Sequence, residues 1–224
     1  MEKIKLLVTG FVTNIVFTTI LFICAGRINY TQGWVFLSVN ILSTLMNYLS
    51  IHKNSELINE RSKLGEGVKS WDKLLLGLSA LIYMAIIVIA GFDSGRFQWS
   101  PNFNWIVSIS GVILIIIGQI LFLTARHQNN FFSSVVRIQK ERGHVVCDTG
   151  LYKVVRHPGY LGMIISLIAL PLITTSVWSI IPTLIAVILL LIRTSLEDKT
   201  LINELDGYVE YTKKTHNKLI PFVW

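Results

Sequence analysis

Long apolar runs constrain this chain more than any other feature. They cover about residues 4–25, 34–51, 74–91, 105–124 and 158–192. A bilayer core of ~30 Å takes ~20 residues of helix, so the first four each suit one crossing. The fifth, at 35 residues, is too long for one. Charged residues make up 15% of the chain, where a soluble domain carries about a quarter. The composition excludes an ordinary soluble protein and predicts an all-α polytopic bundle of about six transmembrane segments.

Pro171 and Thr174-Thr175-Ser176 lie near the middle of the fifth run. Proline lacks a backbone donor and clashes with the turn before it. The run is therefore expected to break there into a helical hairpin with arms of about 16 residues, with Pro182 a candidate kink in the second arm. Asn40, Ser43, Thr44 and Asn47 interrupt the second run at helical spacing, which predicts that they face a neighbouring helix. The first run follows Lys3 and Lys5 but has no small-residue cleavage pattern after it, and it reads as a retained span. Trp99 and Trp105 suit a headgroup belt.

Basic residues orient the bundle. With both termini cytoplasmic, 18 of the 20 Lys and Arg fall on the inner side, and only Arg27 and Arg96 lie outside. That asymmetry follows the positive-inside rule, and it accounts for the +7 net charge without a nucleic-acid partner. The loops 52–73 and 126–156 and the segment from Arg193 onward then share one face. Leu196, Leu201, Ile202 and Leu205 predict a C-terminal amphipathic helix ended by Gly207.

Chemistry-bearing residues gather on that face. One cluster spans Gln139 to Tyr152 and includes His144, Val145, Val146 and Cys147. A second is Arg156-His157-Pro158-Gly159-Tyr160-Leu161-Gly162, and a third is Arg193 with Glu197 and Asp198. Pro158 suits the first position of a helix. Gly159 and Gly162 leave that helix start open to a ligand or to another backbone, and with Arg156 and His157 beside it the start is either an anion site or a plain interfacial helix start with Arg156 snorkelling and Tyr160 in the aromatic belt. Arg193 and Glu197 share a helix face, either as a surface pair or as the two sides of a ligand pocket. Cys24 and Cys147 exclude a disulfide framework, and no recognised zinc or di-iron spacing accompanies the histidines. Gly65-Glu66-Gly67 alone is too weak for nucleotide binding.

In order and spacing, these motifs resemble the integral-membrane isoprenylcysteine carboxyl methyltransferases and phospholipid N-methyltransferases. The likeness covers roughly Phe131 to Pro221. It rests on His144-Val145-Val146-Cys147-Asp148-Thr149-Gly150-Leu151-Tyr152, Arg156-His157-Pro158-x-Tyr160-x-Gly162, Arg193-x-x-x-Glu197-Asp198, Gly207-Tyr208-x-x-Tyr211 and Ile220-Pro221. The resemblance implies S-adenosylmethionine as cofactor, held at the cytoplasmic face by Gln139, His144, Val145, Val146, Cys147, Tyr152, His157, Pro158, Gly159, Tyr160 and Glu197. Arg193 would meet the substrate's polar group, making Arg193 and Glu197 the catalytic pair. Asp198 stands where the family often has a second Glu.

The resemblance divides the chain into N-terminal transmembrane helices (1–125) and a methyltransferase core (126–224). It implies a lipophilic or prenylated acceptor entering from membrane lipid, with no metal. Carboxyl O-methylation of an isoprenylcysteine-like substrate is the leading expectation. Phospholipid amine N-methylation and an NADPH-dependent reductase of the sterol-reductase kind are the enzymatic alternatives. A transporter or scaffold predicts ionisable groups inside the spans, and the sequence has almost none there. The host membrane would be a bacterial inner membrane or endoplasmic reticulum.

Overall fold

The computed structural model describes residues 2–51, 67–221 and 223–224, and among these every regular element is helical. Seven α-helices are formed by the described residues: α1 (Glu2–Ala25), α2 (Thr31–Ile51), α3 (Ser70–Ala90), α4 (Trp105–Gln128), α5 (Pro158–Thr174), α6 (Ile180–Glu204) and α7 (Tyr208–Lys214). A wider π-helical stretch, Gly91–Phe97, continues α3, and two single 3-10 turns, Lys140–Arg142 and Gly150–Lys153, punctuate the loop between α4 and α5. Of the polar loop 52–73, residues 52–66, with Gly65 and Glu66, lie outside the described residues.

Among the described residues, α1, α3 with its π-helical extension, α4 and α6 are long and apolar enough to cross a membrane. The expected six crossings are thus an approximate count. The other two candidates are α2, whose 21 residues carry the polar positions noted above, and α5. At 17 residues and 1.5 Å per residue, α5 spans about 26 Å, short of a ~30 Å core. Large apolar side chains such as Ile15, Leu81, Ile113 and Leu184 point outward, as lipid-facing positions should. Leu21, Tyr30, Phe36, Ile86, Ile87 and Ile173 fill the inside.

The polar positions 40, 43, 44 and 47 of α2 are partly buried against protein, as expected. The Asn14 amide donates to Thr44 Oγ1 at 2.8 Å and joins α1 to α2. The Asn47 amide donates to Gln119 Oε1 at 3.2 Å, and Arg126 Nη1 donates to Asn47 Oδ1 at 3.0 Å, which ties α2 to α4. Helices α4 and α5 lie closest together. A Cβ on Gly118 would come within 2.6 Å of the Gly162 carbonyl, and one on Gly162 within 2.6 Å of the Gly118 carbonyl. Close backbone approach through small residues supplies dispersion contact where lipid gives no hydrophobic drive.

The hairpin is present, and its break falls within the stretch from Pro171 to Ser176. Pro171 sits in the last turn of α5, and the chain reverses at Thr175, whose φ is 51°. Hydroxyl and backbone bonds, including Ser176 N–H to Pro171 O at 3.0 Å, close the turn. Pro182 is the third residue of α6, in the first turn, where its missing donor has no partner to lose. It starts the helix and leaves no need for a kink. The amphipathic segment from residue 194 is not a helix of its own. It continues α6 to Glu204, because no breaker interrupts the run and both halves share a buried face through Leu190, Arg193, Thr194 and Asp198. Gly207, with φ of 81°, then turns the chain into the short α7.

Candidate active site

The start of α5, the end of α6, α7 and the loop 129–147 enclose a chamber of about 340 Å³, at the small end of the ~300–1,000 Å³ range for ligand pockets. Of the residues singled out from sequence, it brings together His144, Val145, Val146, Cys147, Tyr152, His157, Gly159, Tyr160, Arg193 and Glu197. Two others stand behind its wall. Gln139 is fully buried, its amide donating to Phe131 O at 2.8 Å and its carbonyl oxygen accepting from Arg142. Its backbone N–H donates to His144 Nδ1 at 3.3 Å, so it positions the wall without forming it. Pro158 is buried as the first residue of α5.

Arg193 and Glu197 both face the chamber, but they are not paired with each other. Arg193 Nε donates to Asp72 Oδ1 at 2.7 Å and Nη2 to Asp72 Oδ2 at 3.2 Å, while Nη2 also donates to Ser134 O at 2.9 Å. Its guanidinium lies over the Tyr160 ring, 5.4 Å from the centroid. Glu197 instead accepts the Tyr160 hydroxyl proton in a short hydrogen bond. A cation, an aromatic face and a carboxylate thus occupy adjacent turns of α5 and α6.

Arg156 and His157 do not form the open anion site expected at the start of α5. Arg156 grips Asp198 with two bonds of 2.8 and 2.9 Å and sends Nη1 to the Thr215 and His216 carbonyls. His157 Nε2 lies 3.2 Å from Asp198 Oδ1, and the Tyr208 hydroxyl donates to the same oxygen at 3.0 Å. Asp198, whose role was open, is the hub of this network. The tail completes it: Arg156 and His157 N–H groups donate to Asn217 and Lys218 carbonyls, each at 2.9 Å. Such a satisfied, buried charge cluster fixes geometry. The glycines act likewise, since a Cβ on Gly159 would meet the Phe132 ring at 2.8 Å. It is another part of the chain that approaches them.

Electrostatics favour neutral groups on the loop side. Burial, helped by the Arg142 and Arg137 cations, lowers His144 to about 4, so the imidazole is uncharged at neutral pH. With Nδ1 accepting from Gln139, its proton sits on Nε2. The ring stacks on Phe131 at 4.6 Å. Burial raises the Tyr208 hydroxyl well above the usual phenol range, and the Asp198 charge adds to this. Among the described residues no group of three or more His, Cys, Asp or Glu side chains is arranged to hold a metal.

Sequence reasoning missed Asp72, Phe132, Ser134 and Val136. The usable signal was Asp72 itself, an acid two positions before an apolar run on the face that collects the motifs.

A second chamber of about 350 Å³ lies between α2, α3, α4, α5 and α6, lined by Asn40, Asn47, Tyr83, Gln119, Leu167 and Leu190 among others. Phe122 and Met163 line both chambers. One space therefore adjoins loops and the other is embedded among the spans, with two adaptable apolar side chains between them.

With this geometry established, known proteins supply the context. Residues 111–203 match the model of the isoprenylcysteine carboxyl methyltransferase family. A probable protein-S-isoprenylcysteine O-methyltransferase of Oryza sativa subsp. indica is 27% identical over 195 residues, covering 86% of this chain and 97% of that protein. Protein-S-isoprenylcysteine O-methyltransferase B of Arabidopsis thaliana is 34% identical over 93 residues, 41% of this chain and 43% of the relative. The Saccharomyces cerevisiae protein-S-isoprenylcysteine O-methyltransferase is 41% identical over 56 residues, 25% of this chain and 23% of the relative. The matched region holds the start of α5 with Arg193 and Glu197, which line the chamber, and over that region the chain is similar to the isoprenylcysteine carboxyl methyltransferase family.

Proposed function

We propose that this enzyme transfers a methyl group from S-adenosylmethionine to the carboxylate of an isoprenylcysteine-like lipophile. One observation carries the reading: Arg193, Tyr160 and Glu197 meet in a loop-side chamber that shares Phe122 and Met163 with a membrane-embedded one. The relatives are named O-methyltransferases, which favours a carboxylate over a phospholipid amine and over a reductase.

The residues present fit such a donor. Glu197 offers a carboxylate to an amine or ribose hydroxyl, and His144, Tyr152 and Tyr208 line the same space with rings. When bound, the donor would supply a methyl carbon activated by its positively charged sulfur for transfer to a carboxylate oxygen. No proton need move, so the protein's work is positioning and exclusion of water. Arg193 is aimed at the acceptor's carboxylate. The apolar tail would occupy the embedded chamber, reached laterally from lipid. His157, Gly159 and the loop 144–147 close the donor side, Gln139 acts from behind, and residues 126–224 with α4 make the catalytic core. Both termini would face the cytoplasm.

Membranes carrying the protein, supplied with S-farnesylcysteine and a donor labelled in its methyl group, test the reading. Label in a base-labile methyl ester is the expected result. Label in phospholipid headgroups, or no label transfer, would overturn it.

A further inference from the structure

Arg193 is the cation expected to meet the acceptor, and an acid outside the family-matched segment decides which of its donors are free. A guanidinium has five N–H groups. Nε and both N–H groups of Nη2 are used by Asp72 and Ser134. Among the described residues Nη1 keeps its two without a partner, while Arg193 lines the chamber. Asp72 is fully buried at the start of α3. Its Oδ2 also accepts the Val136 N–H at 2.8 Å, and Ser134, Val135 and Val136 are chamber wall.

We propose that Asp72 is a positioning residue for methyl transfer: it orients the free edge of Arg193 into the chamber, cancels its charge and fixes the 134–136 wall to it. The reasoning rests on the donor reading above and adds a demand that reading leaves unmet. A sulfonium and a guanidinium must share one low-dielectric space, and two unscreened cations repel there. Bound bidentately to Arg193, the Asp72 carboxylate removes that repulsion without occupying the edge that faces the acceptor. It also holds Arg193 away from Glu197, the partner one turn along α6, and so leaves Glu197 free for Tyr160.

Titration calorimetry on detergent-solubilised full-length protein separates these roles, using S-adenosylmethionine, which is cationic at sulfur, and S-adenosylhomocysteine, which is not. D72N is expected to bind the homocysteine form within about twofold of the parent and the sulfonium about tenfold more weakly. D72N/R193Q, with both charges removed, is expected to regain sulfonium affinity but not turnover. D72E is expected to recover part of the kcat that D72N loses, at unchanged donor affinity. Parent-like D72N, equal loss of both ligands in D72N, or no recovery in the double variant would each overturn the proposal. If D72N is not recovered folded, D72E and the double variant provide the same comparison. A parent protein that binds neither ligand sinks the donor reading, and this inference with it. A parent that binds both, beside an unchanged D72N, sinks this inference alone.

Discussion

At the scale of single residues, the site contains two kinds of charge with different consequences. Arg156 and Asp198 satisfy each other almost completely, with His157, Tyr208 and two tail carbonyls taking the remaining bonds. Arg156→Met strands the Asp198 carboxylate, and the expected cost is about 3–5 kcal/mol, read as a lower Tm in detergent. Glu197 has a tyrosine hydroxyl and an open chamber as its surroundings. Glu197→Gln should leave the Tm nearly unchanged and weaken S-adenosylhomocysteine about tenfold, measured by calorimetry. His144 makes stability depend on pH. Folding lowers it from 6.5 to about 4, so between those values the unfolded chain takes up a proton that the folded one refuses. Stability contributed by the neutral ring is complete above 6.5 and is lost as pH falls toward 4. His144→Asn should flatten the Tm profile over that window. Glu197, His144 and Tyr160, which line the chamber, were legible as candidates because their motifs are local. Sequence alone could not assign Asp72, because the bond to Arg193 joins positions 121 residues apart.

At the scale of elements, the contact between α4 and α5 tests most directly how the bundle coheres. Gly162→Val places new atoms against the Gly118 carbonyl and the Phe122 N–H, 2.6 and 2.8 Å from the first of them. The helices must separate, and overpacking of this kind costs about 1–3 kcal/mol. Gly77→Ala, where nothing lies within 4 Å, is the matched control and should be neutral or stabilising by up to ~1 kcal/mol. Comparing thermal aggregation midpoints of the two variants checks both. The apolar runs made the helices legible, and the polar stripe on α2 correctly pointed inward. Helix ends were harder to read. Pro171 and Thr174-Thr175-Ser176 marked the break without fixing the turning residue, which is Thr175, and charged positions beyond Arg193 concealed the continuity of α6 because alternation looks the same in one long helix or two.

At the scale of the whole molecule, the tail is bound back onto the start of α5 through Asn217 and Lys218. Removing residues 216–224 should abolish S-adenosylhomocysteine binding while circular dichroism keeps the helical signal, because the spans do not depend on that segment. The two ends of the bundle also differ in kind. Away from the chamber, the buried Asp93 carboxylate accepts from Ser100 N–H and hydroxyl, the Ser176 hydroxyl and the Trp178 N–H, and Tyr30 and Ser94 bind the Thr174 carbonyl beside it. Such a knot works as the rivet of a pair of tongs. Blades pinned at one extremity swing widest at the other, so breathing that admits a bulky guest is concentrated at the jaws. Deuterium uptake should accordingly be slowest around 174–179 and quicken steadily toward 140–147.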